Sequence, residues 1–161
     1  MKDLLFKDSY GMELKPADVV REVVGYMKAA PSYSYKVIIG TDSVMLQENG
    51  ADFVTAIVVH RVGNGGRYFW RQINGGKFFT MRDRIIHEVM LSLDIAKAIL
   101  ENFQEALRGM KWDFEIHADV GQNGPTNVLI QEVTGIIRAN NFTAKTKPES
   151  YAASSVADRH C

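Results

Sequence analysis

The sequence predicts an α/β fold: a mixed five-stranded sheet flanked by helices, with an extra helix near the N-terminus. Three observations predict it. Apolar and aromatic runs on either side of Gly63-Asn64-Gly65-Gly66 read as two strands of a hairpin. Met81 to Leu107 carries its apolar residues at helical spacing. Beyond it, extended and helical patterns alternate, which implies right-handed crossovers.

The elements follow in order. Residues 1–15 lack a clear period, and Tyr10-Gly11 suggests a turn. Pro16 opens a helix, with Asp18 and Glu22 early and Val19, Val20, Val23, Val24 and Met27 on one face; Pro31 ends it. Residues 36–43 form an apolar strand, hence central and buried on both faces. Asn49-Gly50 marks a turn, and Phe53 to Val62 is the second strand. Arg67 to Ile73 is an aromatic-rich third strand that Asn74-Gly75-Gly76 should break. The long helix has a stripe of Ile85, Val89, Leu93, Ala96, Leu100, Phe103 and Leu107, and Gly109 stops it. Residues 112–119 are the fourth strand. Pro125 starts a helix whose inner side is Val128, Leu129, Val133, Ile136 and Ile137. Phe142 to Thr146 is the fifth strand, and Ser150 caps a final helix over Tyr151 to His160.

The 161 residues suit one domain with a proper core, of which 1–35 form an N-terminal extension. No apolar run approaches the ~20 residues of a membrane span, and the N-terminus makes a poor signal peptide. The one cysteine, Cys161, excludes an internal disulfide, so a cytoplasmic location is expected. A net charge of zero argues against strong unspecific binding to nucleic acid. The charge is unevenly placed: residues 67–84 carry Arg67, Arg71, Lys77, Arg82 and Arg84 against Asp83 alone, either a solvated surface or a binding patch.

Four carboxylates stand out. Asp42 closes the strand 37–43, Glu88 lies on the long helix, Asp119 closes the fourth strand, and Asp158 lies on the last helix. Acids in the order strand, helix, strand, helix can converge on one sheet edge, where they repel one another unless divalent cations neutralise them. Each has a plainer alternative. Asp42 can simply form a turn with Ser43. Glu88 interrupts the core-facing row Met81, Ile85, Glu88, Ser92, Ile95 and Ile99, and Arg84 one turn earlier can pair with it. Asp119 can belong to a polar strand face with His117 and a solvated Glu115; Asp158 can be a surface charge on a fraying helix. His160 can shuttle a proton at the mouth of the cluster or belong to a disordered end. His117 is either a partner of Asp119 or a satisfied strand histidine. No phosphate loop, nucleophile elbow or dinucleotide fingerprint is present.

The order of elements and acids resembles the ribonuclease H fold. In detail the chain resembles the uncharacterised ribonuclease H-like bacterial family called YkuK-like. The resemblance is carried by Ile39-Gly40-Thr41-Asp42-Ser43, Ala56 to Arg61, His117-Ala118-Asp119-Val120-Gly121, Lys147-Pro148, Ala152-Ala153 and Val156-Ala157-Asp158. It implies two Mg²⁺ or Mn²⁺ ions, with Asp42 bridging both, Glu88 and Asp119 on one and Asp158 on the other. It implies phosphodiester cleavage of RNA, DNA or a hybrid, and therefore a nucleic-acid partner. The Asp-x-Glu pair of related proofreading exonucleases is absent, since Asp42-Ser43-Val44 stands there. Two other readings remain: a binding module that keeps the fold without cleaving, and a small-molecule phosphohydrolase, which needs a closed pocket that no motif announces.

Overall fold

The computed structural model describes residues 5–150. The expected helix over 151–160, with Asp158 and His160, lies outside the described residues. The chain forms β1 (Phe6–Lys7), β2 (Glu13–Leu14), α1 (Pro16–Lys28), β3 (Tyr35–Met45), β4 (Gly50–Arg61), β5 (Gly66–Lys77), α2 (Met81–Ala106), β6 (Trp112–His117), α3 (Ile130–Ala139) and β7 (Thr143–Lys145). Short 3₁₀ turns precede β4 and α3.

The sheet is mixed, as expected, but has seven strands among the described residues and not five, in the order β2-β1-β5-β4-β3-β6-β7. β3, β4 and β5 pair antiparallel, while β6 runs parallel to β3 and β7 parallel to β6. The two unforeseen strands are the two-residue pieces β1 and β2. The Asp8 carboxylate turns the chain between them by accepting from the Tyr10 and Met12 amides at 2.9 and 3.0 Å. Lys7 then pairs with Trp70 at the edge of β5.

Two strand ends move relative to the sequence expectation. β5 runs through Asn74-Gly75-Gly76 because the glycines adapt the strand and do not end it. A Cβ on Gly75 would fall inside the Phe53 ring, and opposite it the ladder shifts register between Gly50 and Asp52. β3 continues to Met45, so Asp42 sits within the ladder opposite Val54 and does not close the strand.

Alternation along β3 and β4 divides the sheet faces. Val37, Ile39, Ile57, Val59, Phe69 and Ile116 share one core with Val19, Val23 and Met27 of α1, Val89, Leu93 and Ala96 of α2, and Val133 and Ile137 of α3. On the other face Ile38, Val54 and Ala56 are fully buried as well, as the continuous apolar run of the central strands requires. Thr80 caps α2 by accepting from the Asp83 amide at 3.0 Å. The register of α2 on the sheet is fixed by a buried hydroxyl triad. Thr41 Oγ1 lies 2.9 Å from Thr55 Oγ1 and 2.8 Å from Ser92 Oγ.

Candidate functional site

β3 and β6 lie side by side and parallel, and their last paired rung is Gly40 opposite His117. Two residues beyond that rung come Asp42, still in β3, and Asp119, in the loop after β6. Asp119 thus follows the fourth strand by two residues and does not close it; the loop keeps its place because the Ala118 amide donates to the Lys145 carbonyl at 2.9 Å. Thr41 and Ser43 point towards α2, where Ser92 and Glu88 stand one turn apart and meet them in turn. The fold that seats Ser92 against Thr41 therefore also brings Glu88 to the end of β3.

Glu88 is 3% exposed. The Ser43 hydroxyl donates to its Oε2, and Arg84 Nη1 donates to Ser43 Oγ at 2.7 Å while standing 3.5 Å from Glu88 Oε2. The ion pair with Arg84 is present, but it does not offset the cost of burial. Burial above all, then the charges of Asp42 and Asp119, push the Glu88 carboxyl up to about 8 against the pull of Ser43 and Arg84. Asp42 Oδ1 accepts from the Ser43 amide at 2.9 Å.

Asp119 faces a second cation. Lys147 Nζ stands 2.9 Å from Asp119 Oδ1, a buried oxygen. Contact with Asp119, with the charges of Asp42 and Glu88 behind it, holds the Lys147 ammonium above its ordinary value. The charges of Asp42 and Asp119 thus both reach Glu88, although Asp42, between Thr41 and Ser43 on the strand, takes the sheet face opposite α2. As their side chains stand, no three Asp, Glu, His or Cys groups among the described residues are close enough to cage an ion. The donor set is nonetheless all oxygen and mutually repulsive, which suits a hard divalent cation. A cleft of about 600 Å³ opens beside Lys147, lined by Gly121, Gln122, Asn123, Ile130 and Pro148.

Other expectations change. Glu115 is not solvated: it is 7% exposed and meets His117 Nε2 at 3.1 Å and Lys36 Nζ at 3.9 Å. His117 is thus engaged by Glu115 of its own strand, its pKa lowered first by burial despite the raising effect of Glu115. His87 packs edge-on to Phe53 at 4.7 Å. The basic segment 67–84 is largely engaged within the molecule. Arg67 reaches Glu22 at 3.5 Å, Arg82 holds Glu132, Arg84 serves Ser43 and Glu88, and Arg71 is buried over the Phe6 ring. Sequence reasoning named Lys147 within the Lys147-Pro148 pair that carries the family resemblance and gave it no partner. Its pairing with Asp119 depends on β7 lying beside β6, and the small residue Gly121 was the sole local sign.

No helix among the described residues is long and apolar enough to cross a membrane. The ribonuclease H-like family profile matches residues 18–161. The Bacillus subtilis (strain 168) protein YkuK, described as uncharacterised, is 32% identical over 155 residues, covering 88% of each chain. Among solved structures, the Mos1 transposase catalytic domain, determined with raltegravir and Mg, is similar over 89% of this chain and 69% of that one, at 10% identity and a TM-score of 0.35. The family match over most of the chain, together with the YkuK relationship, bears out the resemblance first seen around Asp42 and Asp119: the chain belongs to the ribonuclease H-like family.

Proposed function

We propose that the protein is a metal-dependent nuclease that cleaves phosphodiester bonds of RNA, DNA or an RNA/DNA hybrid. The observation that carries this reading is that Asp42 of β3 and Asp119 of the loop after β6 both act electrostatically on Glu88 of α2, a carboxyl that burial above all lifts to about 8. These three acids, with Asp158, would hold two Mg²⁺ or Mn²⁺ ions. When bound, the ions supply an activated water and stabilise the leaving oxygen in an in-line displacement. The rest falls to the chain itself. Ser43 orients the Glu88 carboxylate, and Arg84 orients Ser43. The loop after β6 holds Asp119 beside the cleft, and His160, outside the described residues, would serve the acid cluster as a proton shuttle. A cytoplasmic location and a single-domain organisation belong to the same reading.

The test is cleavage of a labelled nucleic acid by purified protein with Mg²⁺ or Mn²⁺. Asp42→Asn should abolish cutting while leaving the far-ultraviolet circular dichroism and melting profile intact. Equal cutting by wild type and variant would sink the proposal.

One observation favours a second reading, a nucleic-acid-binding module without catalysis. The described acids stand too far apart to cage an ion in their present rotamers. Steeply salt-dependent binding of nucleic acid, with no cleavage under any divalent metal, would select that reading.

A further inference from the structure

We infer that Lys147 is a tethered counter-cation of the acid cluster, which holds Asp119 until a divalent ion takes that carboxylate and thereby sets the affinity for the ion. This rests on the metal-site reading above and concerns its regulation.

Three features of the structure build the device. Lys147 Nζ stands 2.9 Å from Asp119 Oδ1. The backbone beneath it is pinned, because the Lys147 amide donates to the Val120 carbonyl at 2.8 Å and β7 is laddered to β6 just before it. The two segments also touch at a place made for close approach: a Cβ on Gly121 would come within 2.8 Å of Lys147 Cβ. The ammonium is therefore carried to Asp119 by the fold, and does not arrive there as a wandering surface chain. Half its side chain is still exposed, so it can swing into the neighbouring cleft when Asp119 is claimed by another cation.

Lysine suits this role. Its ammonium is a compact point charge on a flexible stem, able to neutralise one carboxylate and leave without breaking a fixed fork of bonds. A divalent ion competing for Asp119 must displace it, and the same field that draws the ion in holds the ammonium in place. Removing the charge should tighten ion binding, whereas removing an ordinary structural or substrate-binding lysine should leave it unchanged or weaken it.

The experiment is titration of the purified full chain with Mn²⁺, followed by electron paramagnetic resonance of the free ion and by calorimetry, for wild type, Lys147→Met and Lys147→Arg. Methionine keeps length and apolar stem but removes the charge; arginine keeps the charge. Lys147→Met should bind Mn²⁺ about tenfold more tightly at low salt, and Lys147→Arg should bind it no more tightly than wild type. The gap between wild type and Lys147→Met should shrink as salt is raised, because the site is partly open to solvent. Equal or weaker binding by Lys147→Met, with wild type still binding, overturns the counter-cation role and leaves the metal site standing. Absence of Mn²⁺ binding in every variant overturns both.

Discussion

Glu88→Gln should stabilise the metal-free protein, and the gain should grow with pH. Glutamine has the shape of a protonated glutamate, can still accept from Ser43 and Arg84, and carries no charge to bury. In the native protein burial first, with the repulsion of Asp42 and Asp119, lifts the Glu88 carboxyl from its ordinary 4.5 to about 8. A folded-state acid with a raised value binds more protons than the unfolded chain between those two limits, so stability falls as pH rises through that window. At about 1.4 kcal/mol per pH unit the whole window is worth on the order of 5 kcal/mol. Below pH ~4.5 the two proteins should differ little from this source, and above pH ~8 the full difference should be present. The assay is urea denaturation of both proteins in chelator, from pH 5 to 9, with the difference in unfolding free energy plotted against pH. A difference that does not change with pH, or a variant that is less stable throughout, would refute the argument, since it would mean that Glu88 is adequately paired by Arg84 and Ser43.

Thr41→Val keeps the shape of its buried site but strands the hydroxyls of Thr55 and Ser92, now 2.9 and 2.8 Å from Thr41 Oγ1; a loss of about 1–3 kcal/mol is expected in urea denaturation. Gly75→Ala should drive a methyl group into the Phe53 ring, which Phe78 and His87 hold at centroid distances of 5.4 and 4.7 Å, and calorimetric melting should reveal a destabilisation of about 1–3 kcal/mol.

What the sequence makes legible is whatever depends on neighbours along the chain. The apolar run of β3 and the amphipathic stripe of α2 are local patterns, and both elements form where those patterns lie. The turn at Gly63-Asn64-Gly65-Gly66 is legible because it needs left-handed backbone, which Gly63 and Gly65 adopt at φ +79° and +87°. β1 and β2 are not legible: two residues have no period, and they exist only because Asp8 folds the turn and Trp70 offers an edge. Asn74-Gly75-Gly76 misleads because glycine can mean a break or a close approach, and only the position of Phe53 decides between them. The burial of Glu115 is hidden for a related reason, since its partners Lys36 and His117 meet it only once β3 and β6 are neighbours.

The acid site divides along the same line. Ser92 and Glu88 interrupt the apolar row of α2 one turn apart and look alike in the sequence, yet they differ in kind. Ser92 is neutral, fully buried and matched by Thr41, so its polarity is explained by the register it imposes on helix and sheet. Glu88 has a hydroxyl and a guanidinium beside it and still sits at a proton affinity far above an ordinary carboxylate. If its task were only to fasten α2 to β3, a second serine or a glutamine would do so without charge to bury, at a gain in stability. A residue that opposes the fold at a point where two further acids act on it is explained by something the folded chain alone does not supply. A divalent cation is the ligand that would turn that opposition into binding energy, and it would act on Asp42 and Asp119 by the same means.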